Sequence, residues 1–414
     1  MRVLFVCPCT IQDRCVSVAS WILGIIHHLN SQINIEIISA SIISASDKSK
    51  ELRTFLNIYN KKVPVYLLSE KKFAMCFSSI LQQNAYDAIL LFGTESFFAE
   101  TVIDVSTQLG MVAKTAVFLQ GICTACAAHY YEGVPEQVAK CYTVRDFLRR
   151  DRIIDQQKEM EKKAAREKRI LCKAQNIIGR TTLDRSVTYF YHSEAQYFKC
   201  NDVLRKGFYE RFWSYEKCKK HSIFISQYYY PLKGFHFLLK AASLLLPKYP
   251  DLQIVAAGYN PIDRGLNFKE LKDSSYIRYI KKLAKKYSLV DHIQLVGMQG
   301  ENDMIEQYLK SNVYVLCSTI ENSPNSLAEA MTLGVPTVAS DVGGVSDYAT
   351  HNVDAFLYPA TEPYLLAHYI DALFDNMGQA SSLGINARAR GLKDYDSREN
   401  IGVLEEIIRK LAER

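Results

Sequence analysis

The sequence predicts an α/β protein made of two Rossmann-like domains, one after the other, and three observations carry that prediction. The chain has 414 residues, 48% of them hydrophobic, and a single core usually stops growing beyond about 250 to 300 residues. Short β-rich runs alternate with helix-periodic segments in both halves, the pattern of parallel strands joined by crossover helices. Charged residues make up 23% of the chain with a formal net charge of +6, which excludes disordered and collagen-like classes when set beside that apolar content.

In the first half the strand candidates are RVLFVC, INIEIIS, VPVYLL, AILLF and TAVFLQ. The first begins almost at once, in MRVLFVCPCTIQDRC, without the long apolar run of a signal peptide. Eleven cysteines stand in no regular framework, so free thiols in a reducing cytoplasm are expected. No uncharged apolar run approaches the ~18 residues that would suggest a membrane span. The expected protein is cytoplasmic, with the inner face of the membrane as its outermost reach.

Between the halves the charge changes character. From Lys140 to Lys220 there are 21 Lys and Arg against 11 Asp and Glu. This surplus suits an anionic partner such as phosphate groups, anionic lipid or nucleic acid. The alternative is a solvated helix face, because RRDRIIDQQKEMEKKAAREKR, Arg149 to Arg169, interleaves both signs at helical spacing. The second half supplies SIFIS, QIVAAG, IQLVG, VYVLC, TVAS and AFLYP as strands, with FHFLLKAASLLLPKY among the helices between them. The expected domains are 1–214 and 215–394, followed by a helix in 395–414 that packs on either. No internal repeat interrupts this plan.

The segment STIENSPNSLAEAMTLGVPTVASDVGG, Ser318 to Gly344, concentrates the chemistry. Ser323 reads as a helix N-cap, Pro324 as the first helical residue, and Gly334 with Pro336 as the stop. The amides of Asn325, Ser326 and Leu327 would then lack intrahelical acceptors at the positive end of the dipole, a natural seat for a diphosphate. Leu327, Ala330 and Met331 form the core stripe, and Glu329 points away from it. Glu321 precedes the helix at the C-terminal end of VYVLC, the sheet edge where open α/β folds bind ligands. Two carboxylates so placed can accept hydroxyls from the two ends of an extended polar ligand.

This run resembles the E-x7-E signature of retaining family 4 glycosyltransferases of the GT-B fold, the bacterial surface-polysaccharide type. The resemblance covers Ser222 to about Asn376 and is weaker over the first half. It implies two Rossmann-like domains whose parallel sheets face across a cleft, with the acceptor on the first and the nucleotide sugar on the second. Glu329 would bind the ribose hydroxyls and Glu321 the donor sugar. Pro324, Asn325, Ser326 and Leu327 would line the phosphate end, and Gly343 and Gly344 would let the backbone approach the ligand. Lys233, at the end of ISQYYYPLKG, matches the lysine that neutralises the diphosphate. Many relatives carry an arginine five residues before it, where this chain has Tyr228, so Arg180 is the candidate for a second cation.

In the first half Gln120 stands where many relatives have a histidine, and it can hydrogen-bond a sugar without titrating near neutrality. Glu95 of FGTES ends a strand at the same edge, either as a cleft carboxylate or as a solvated loop residue. The resemblance implies transfer from a UDP- or GDP-sugar to a sugar or lipid-linked sugar, with retention at the anomeric carbon and the departing diphosphate assisting the acceptor. No cofactor and no metal are expected, since neither CPC at Cys7 nor CTAC at Cys123 has a partner at zinc-site spacing. The chain has neither the phosphate-binding G-x-G-x-x-G after its first strand nor a Walker-type loop. The alternatives are a GT-B nucleotide-sugar epimerase and, more remotely, a basic nucleic-acid-binding protein, although no nucleic-acid-reading motif accompanies the charge. The basic, aromatic Lys140–Lys220 region also suits peripheral contact with a membrane.

Overall fold

A computed structural model of the chain describes residues 1–12, 15–41, 51–58, 61–258 and 273–414. The chain divides into two compact units: Met1–Thr124 with Lys162–Arg205 and Tyr395–Arg414, and Ala125–Glu161 with Lys206–Asp394.

The first unit is built on an eight-stranded sheet. Its strands are β1 (Arg2–Val6), β4 (Asn34–Ser41), β5 (Glu51–Ile58), β6 (Lys61–Ser69), β7 (Ala88–Phe92), β8 (Thr115–Phe118), β9 (Asn176–Gly179) and β10 (Gln196–Lys199), with the hairpin β2 (Cys9–Gln12) and β3 (Cys15–Val18) beside it. The order is β10-β9-β8-β7-β1-β4-β6-β5, parallel throughout except for β5 against β6. β7, β8 and β9 are buried along their whole length, which is why AILLF and TAVF read as unbroken apolar runs. The core between this sheet and its helices includes Phe5, Ile22, Leu90, Phe118 and, from the helix Ser397–Ala412, Leu404, Ile407 and Leu411.

The second unit carries a six-stranded, wholly parallel sheet in the order β13-β12-β11-β14-β15-β16. These strands are β11 (Lys219–Ile225), β12 (Gln253–Ala257), β13 (Ile293–Gly297), β14 (Ser311–Leu316), β15 (Thr337–Ser340) and β16 (Phe356–Tyr358). All six lie on the runs singled out in the sequence. The chain lays β12 and β13 on one side of β11 and then crosses back to place β14 on the other side. The strand order therefore reverses between β11 and β14, the position at whose C-terminal strand ends open α/β sheets bind ligands.

The division of the chain differs from the expected one in two places. Lys206–Ser214 joins the second unit because the Gly207 amide donates to Glu301 Oε1 at 2.9 Å and Trp213 Nε1 donates to the Ser311 carbonyl at 2.8 Å. Ala125–Glu161, expected with the first half, also belongs to the second unit. The Ser275 amide donates to the buried Asp146 carboxylate at 2.7 Å, and Thr319 Oγ1 donates to the His129 carbonyl at 3.0 Å.

Candidate active site

Lys233 and Glu321 leave the sheet from adjacent strands, β11 and β14, at the point where the strand order reverses. Their side chains meet: Lys233 Nζ lies 2.5 Å from Glu321 Oε1. Burial alone would lower the pKa of this ammonium, but the Glu321 carboxylate and Tyr230 raise it on balance, so Lys233 stays a cation. Ser318 Oγ donates to the same Oε1 at 2.6 Å. Glu321 Oε2 has no protein donor among the described residues and remains an available acceptor.

Glycines hold both partners. Gly234 follows Lys233 with φ +66°, and a Cβ there would lie 1.7 Å from the Cys317 carbonyl oxygen. Gly343 has φ +57°, and its Cβ would lie 1.9 Å from the carbonyl oxygen of Glu321. The Gly344 amide donates to that same carbonyl at 3.0 Å. The two glycines of SDVGG thus close onto the backbone of Glu321, a contact the sequence alone did not disclose.

The helix at the site runs Asn325–Leu333, one residue later than expected at its start. Pro324 occupies the N-cap with φ −74° and ψ 107° and gives no side-chain cap. The expected cap, Ser323, turns its hydroxyl to Tyr348 at 3.2 Å instead. The Leu327 amide, expected to lack an acceptor, donates to the Pro324 carbonyl at 3.0 Å in a tightened first turn. The amides of Asn325 and Ser326 have no acceptor among the described residues, and Asn325 Oδ1 is buried without a partner. Gly334 closes the helix at φ +75° as expected.

Glu329 lies on this helix five residues beyond Pro324, about 7.5 Å along the axis. It is half-buried, and Tyr308 of the helix Glu301–Lys310 explains how it is held. The Tyr308 hydroxyl lies 3.0 Å from the Ser326 carbonyl and 3.2 Å from Glu329 Oε2. Tyr308 is fully buried, and desolvation pushes its pKa well up, so it remains a donor. Sequence reasoning missed Tyr308 and Ser318. The proximity of Ser318 to Glu321, three residues on, was the one signal available for either.

Tyr228, five residues before Lys233, turns into the core against Phe235 at 5.6 Å between ring centres. Arg180, the candidate second cation, belongs to the first unit. Its guanidinium is buried there, 2.9 Å from Asp202 and over the ring of Phe118. Glu95 follows β7, at the reversal between β1 and β7 in the first sheet. Its Oε1 accepts the Gly121 amide at 2.9 Å, next to Gln120. Burial raises its pKa, and the residue is half-buried. Glu167, wholly buried, accepts from Thr94 Oγ1 at 2.8 Å and from the Cys123 amide at 2.9 Å. Among the described residues no disulfide forms, no three His, Cys, Asp or Glu side chains cluster as metal ligands, and no helix is long and apolar enough to cross a membrane.

Residues 210–390 match the family described as glycosyl transferases group 1. AmsK of Erwinia amylovora, an amylovoran biosynthesis glycosyltransferase, is 28% identical over 131 residues, 30% of this chain and 32% of its own. The chain spans less than half the length of the first curated relatives it matches. Sucrose-phosphate synthase from Thermosynechococcus elongatus superposes with a TM-score of 0.70 at 15% identity, over 99% of this chain and 98% of that one. HepE of Anabaena, solved in complex with UDP-glucose, does so with a TM-score of 0.68 at 14% identity, over 98% and 99%. The fold is GT-B, with two Rossmann-like α/β units.

Proposed function

We propose that the protein is a retaining glycosyltransferase of family 4 type that moves a sugar from a UDP- or GDP-sugar to a hydroxyl of a sugar or lipid-linked sugar. The observation that carries this reading is the cluster at the strand-order reversal: a cation, an acceptor carboxylate and a helix mouth with two unsatisfied amides, beside the orphaned Asn325 Oδ1. Lys233 and the amides of Asn325 and Ser326 would stabilise charge on the departing diphosphate. Glu321 Oε2 would accept a hydroxyl of the donor sugar, and Glu329 the ribose hydroxyls. Glu95 and Gln120 would bind the acceptor.

In the transfer, the anomeric C–O bond to the diphosphate breaks and a bond to the acceptor oxygen forms on the same face. The acceptor proton passes to the leaving diphosphate, so catalysis rests on positioning and charge stabilisation. The relative AmsK supports a place in polysaccharide synthesis, and a lipid-linked acceptor would bring the protein to the inner face of the membrane. The epimerase reading finds no support in the family match.

A donor panel with acceptor sugars tests the proposal, read by nucleoside diphosphate release and by the anomeric configuration of the product. Release that depends on both substrates, with the donor's configuration kept and activity lost in Glu329→Ala, is expected. Inversion at the anomeric carbon, or an unaffected Glu329→Ala, would overturn it.

A further inference from the structure

The helix Val144–Arg149 is amphipathic in the reverse of the usual sense. Its polar side is turned inward. Asp146 is fully buried and accepts the Ser275 amide at 2.7 Å and Arg145 Nη1 at 2.8 Å, and Arg145 also reaches Asp151 at 2.8 Å. Thr143 caps the start by accepting the Asp146 amide at 3.0 Å, and Arg150 ends the helix at φ +53°. The turn is therefore fixed in this orientation.

Its apolar side faces out. Val144, Phe147 and Leu148 stand at i, i+3 and i+4, one face of a helix, and are 49%, 69% and 75% exposed. Tyr142, 51% exposed, sets its ring edge-on to Phe147 at 6.0 Å, and the Arg152 guanidinium lies 4.0 Å above the Tyr142 ring. A soluble helix normally buries such a stripe, so its outward placement asks for a partner.

The surrounding charge selects the partner. Every carboxylate from Glu136 to Asp155 is occupied: Glu136 by Lys140, Asp146 and Asp151 by Arg145, and Asp155 by Arg152. Arg149 and Arg150 are exposed and have no carboxylate partner among the described residues. An apolar face followed by two exposed arginines without carboxylate partners, and with no free carboxylate in the segment, complements phosphate-bearing lipid.

We propose that this turn is a shallow membrane-docking element. Val144, Phe147 and Leu148 enter the headgroup–acyl boundary of an anionic bilayer, while Arg149 and Arg150 engage lipid phosphates. The inference locates the membrane contact of the proposed function and does not depend on the transfer reaction.

The test is co-sedimentation of the full chain with phosphatidylcholine vesicles, with and without phosphatidylglycerol, in the absence of donor or acceptor. A failed transfer assay then bears on the proposed reaction alone. The parent is expected to bind the phosphatidylglycerol vesicles and to lose binding as salt rises. Phe147→Ser with Leu148→Ser should lower partitioning on the order of ten-fold. Arg149→Ala with Arg150→Ala should lower it by a similar order and flatten the salt dependence. All four positions are exposed, so the unfolding midpoints should hold. No binding by the parent, or both double variants binding as the parent does, would overturn the proposal. So would concentration-dependent self-association of the parent without vesicle binding, abolished by the serine pair.

Discussion

Lys233 and Glu321 face each other 2.5 Å apart, and the carboxylate helps keep the buried ammonium charged before any ligand arrives. A diphosphate would compete with Glu321 for the ammonium, and removing that ammonium leaves both the carboxylate and the leaving group without their cation. Lys233→Ala should therefore lower turnover on the order of 10²- to 10³-fold, measured as steady-state nucleoside diphosphate release. Tyr308 acts one step back, through Glu329. Tyr308→Phe removes the hydroxyl between Ser326 and Glu329 and should raise the donor KM about three- to ten-fold while leaving kcat nearly unchanged. An equal fall in kcat would show instead that the hydroxyl matters in the transition state. Glu321 and Glu329 stood out as candidates through their eight-residue spacing, and Lys233 through the Lys-Gly that ends ISQYYYPLKG. Tyr308 did not, because its partner lies on another helix and, with Ile305, it reads as an ordinary core stripe of ENDMIEQYLK.

At the scale of elements, the connections off β11, β14 and β15 hold the site through backbone contacts that only glycine permits. Gly234→Ala and Gly343→Ala each place a Cβ under 2 Å from a carbonyl oxygen at positive φ, and each should destabilise the second unit by more than about 2 kcal/mol. Gly402 is the control: it lies in the exposed middle of the helix Ser397–Ala412, where a Cβ meets nothing within 4 Å. Gly402→Ala should stabilise the first unit by about 0.5 to 1 kcal/mol. Urea unfolding followed for each variant checks all three, and equal behaviour of Gly343→Ala and Gly402→Ala would refute the argument. Most interior parallel strands were legible as apolar runs, since burial on both faces writes itself into the sequence, but the buried β9, NIIG, offers only two large apolar residues and did not stand out. β5 and β10 were not: ELRTFLNI and QYFK lie at the sheet edges, where one side of the strand has no neighbour and charged residues interrupt the pattern.

At the scale of the molecule, the assignment of Ala125–Glu161 to the second unit rests on contacts between residues far apart in sequence, and a linear reading cannot register them. His236 is one of these contacts. It is almost wholly buried, with Nε2 3.0 Å from the Glu132 carbonyl and Nδ1 3.1 Å from the Tyr276 hydroxyl. A carbonyl only accepts, so Nε2 carries the proton and Nδ1 accepts from Tyr276. Burial holds the imidazole neutral and lowers its pKa to about 4. The unfolded chain takes up a proton as pH falls through about 6.5, whereas the folded chain does not until about 4. Stability contributed by the neutral histidine is thus fully present above about pH 6.5 and is lost as pH falls toward 4, by up to about 3 kcal/mol in total. Urea midpoints of the second unit should accordingly drop by the equivalent of about 2 kcal/mol between pH 7 and pH 5, before most carboxylates titrate. In His236→Gln the side-chain amide can still donate to the Glu132 carbonyl but does not titrate, so the midpoint should lie lower at pH 7 and depend far less on pH. Identical pH slopes for parent and variant would show that the proton uptake lies elsewhere in the chain.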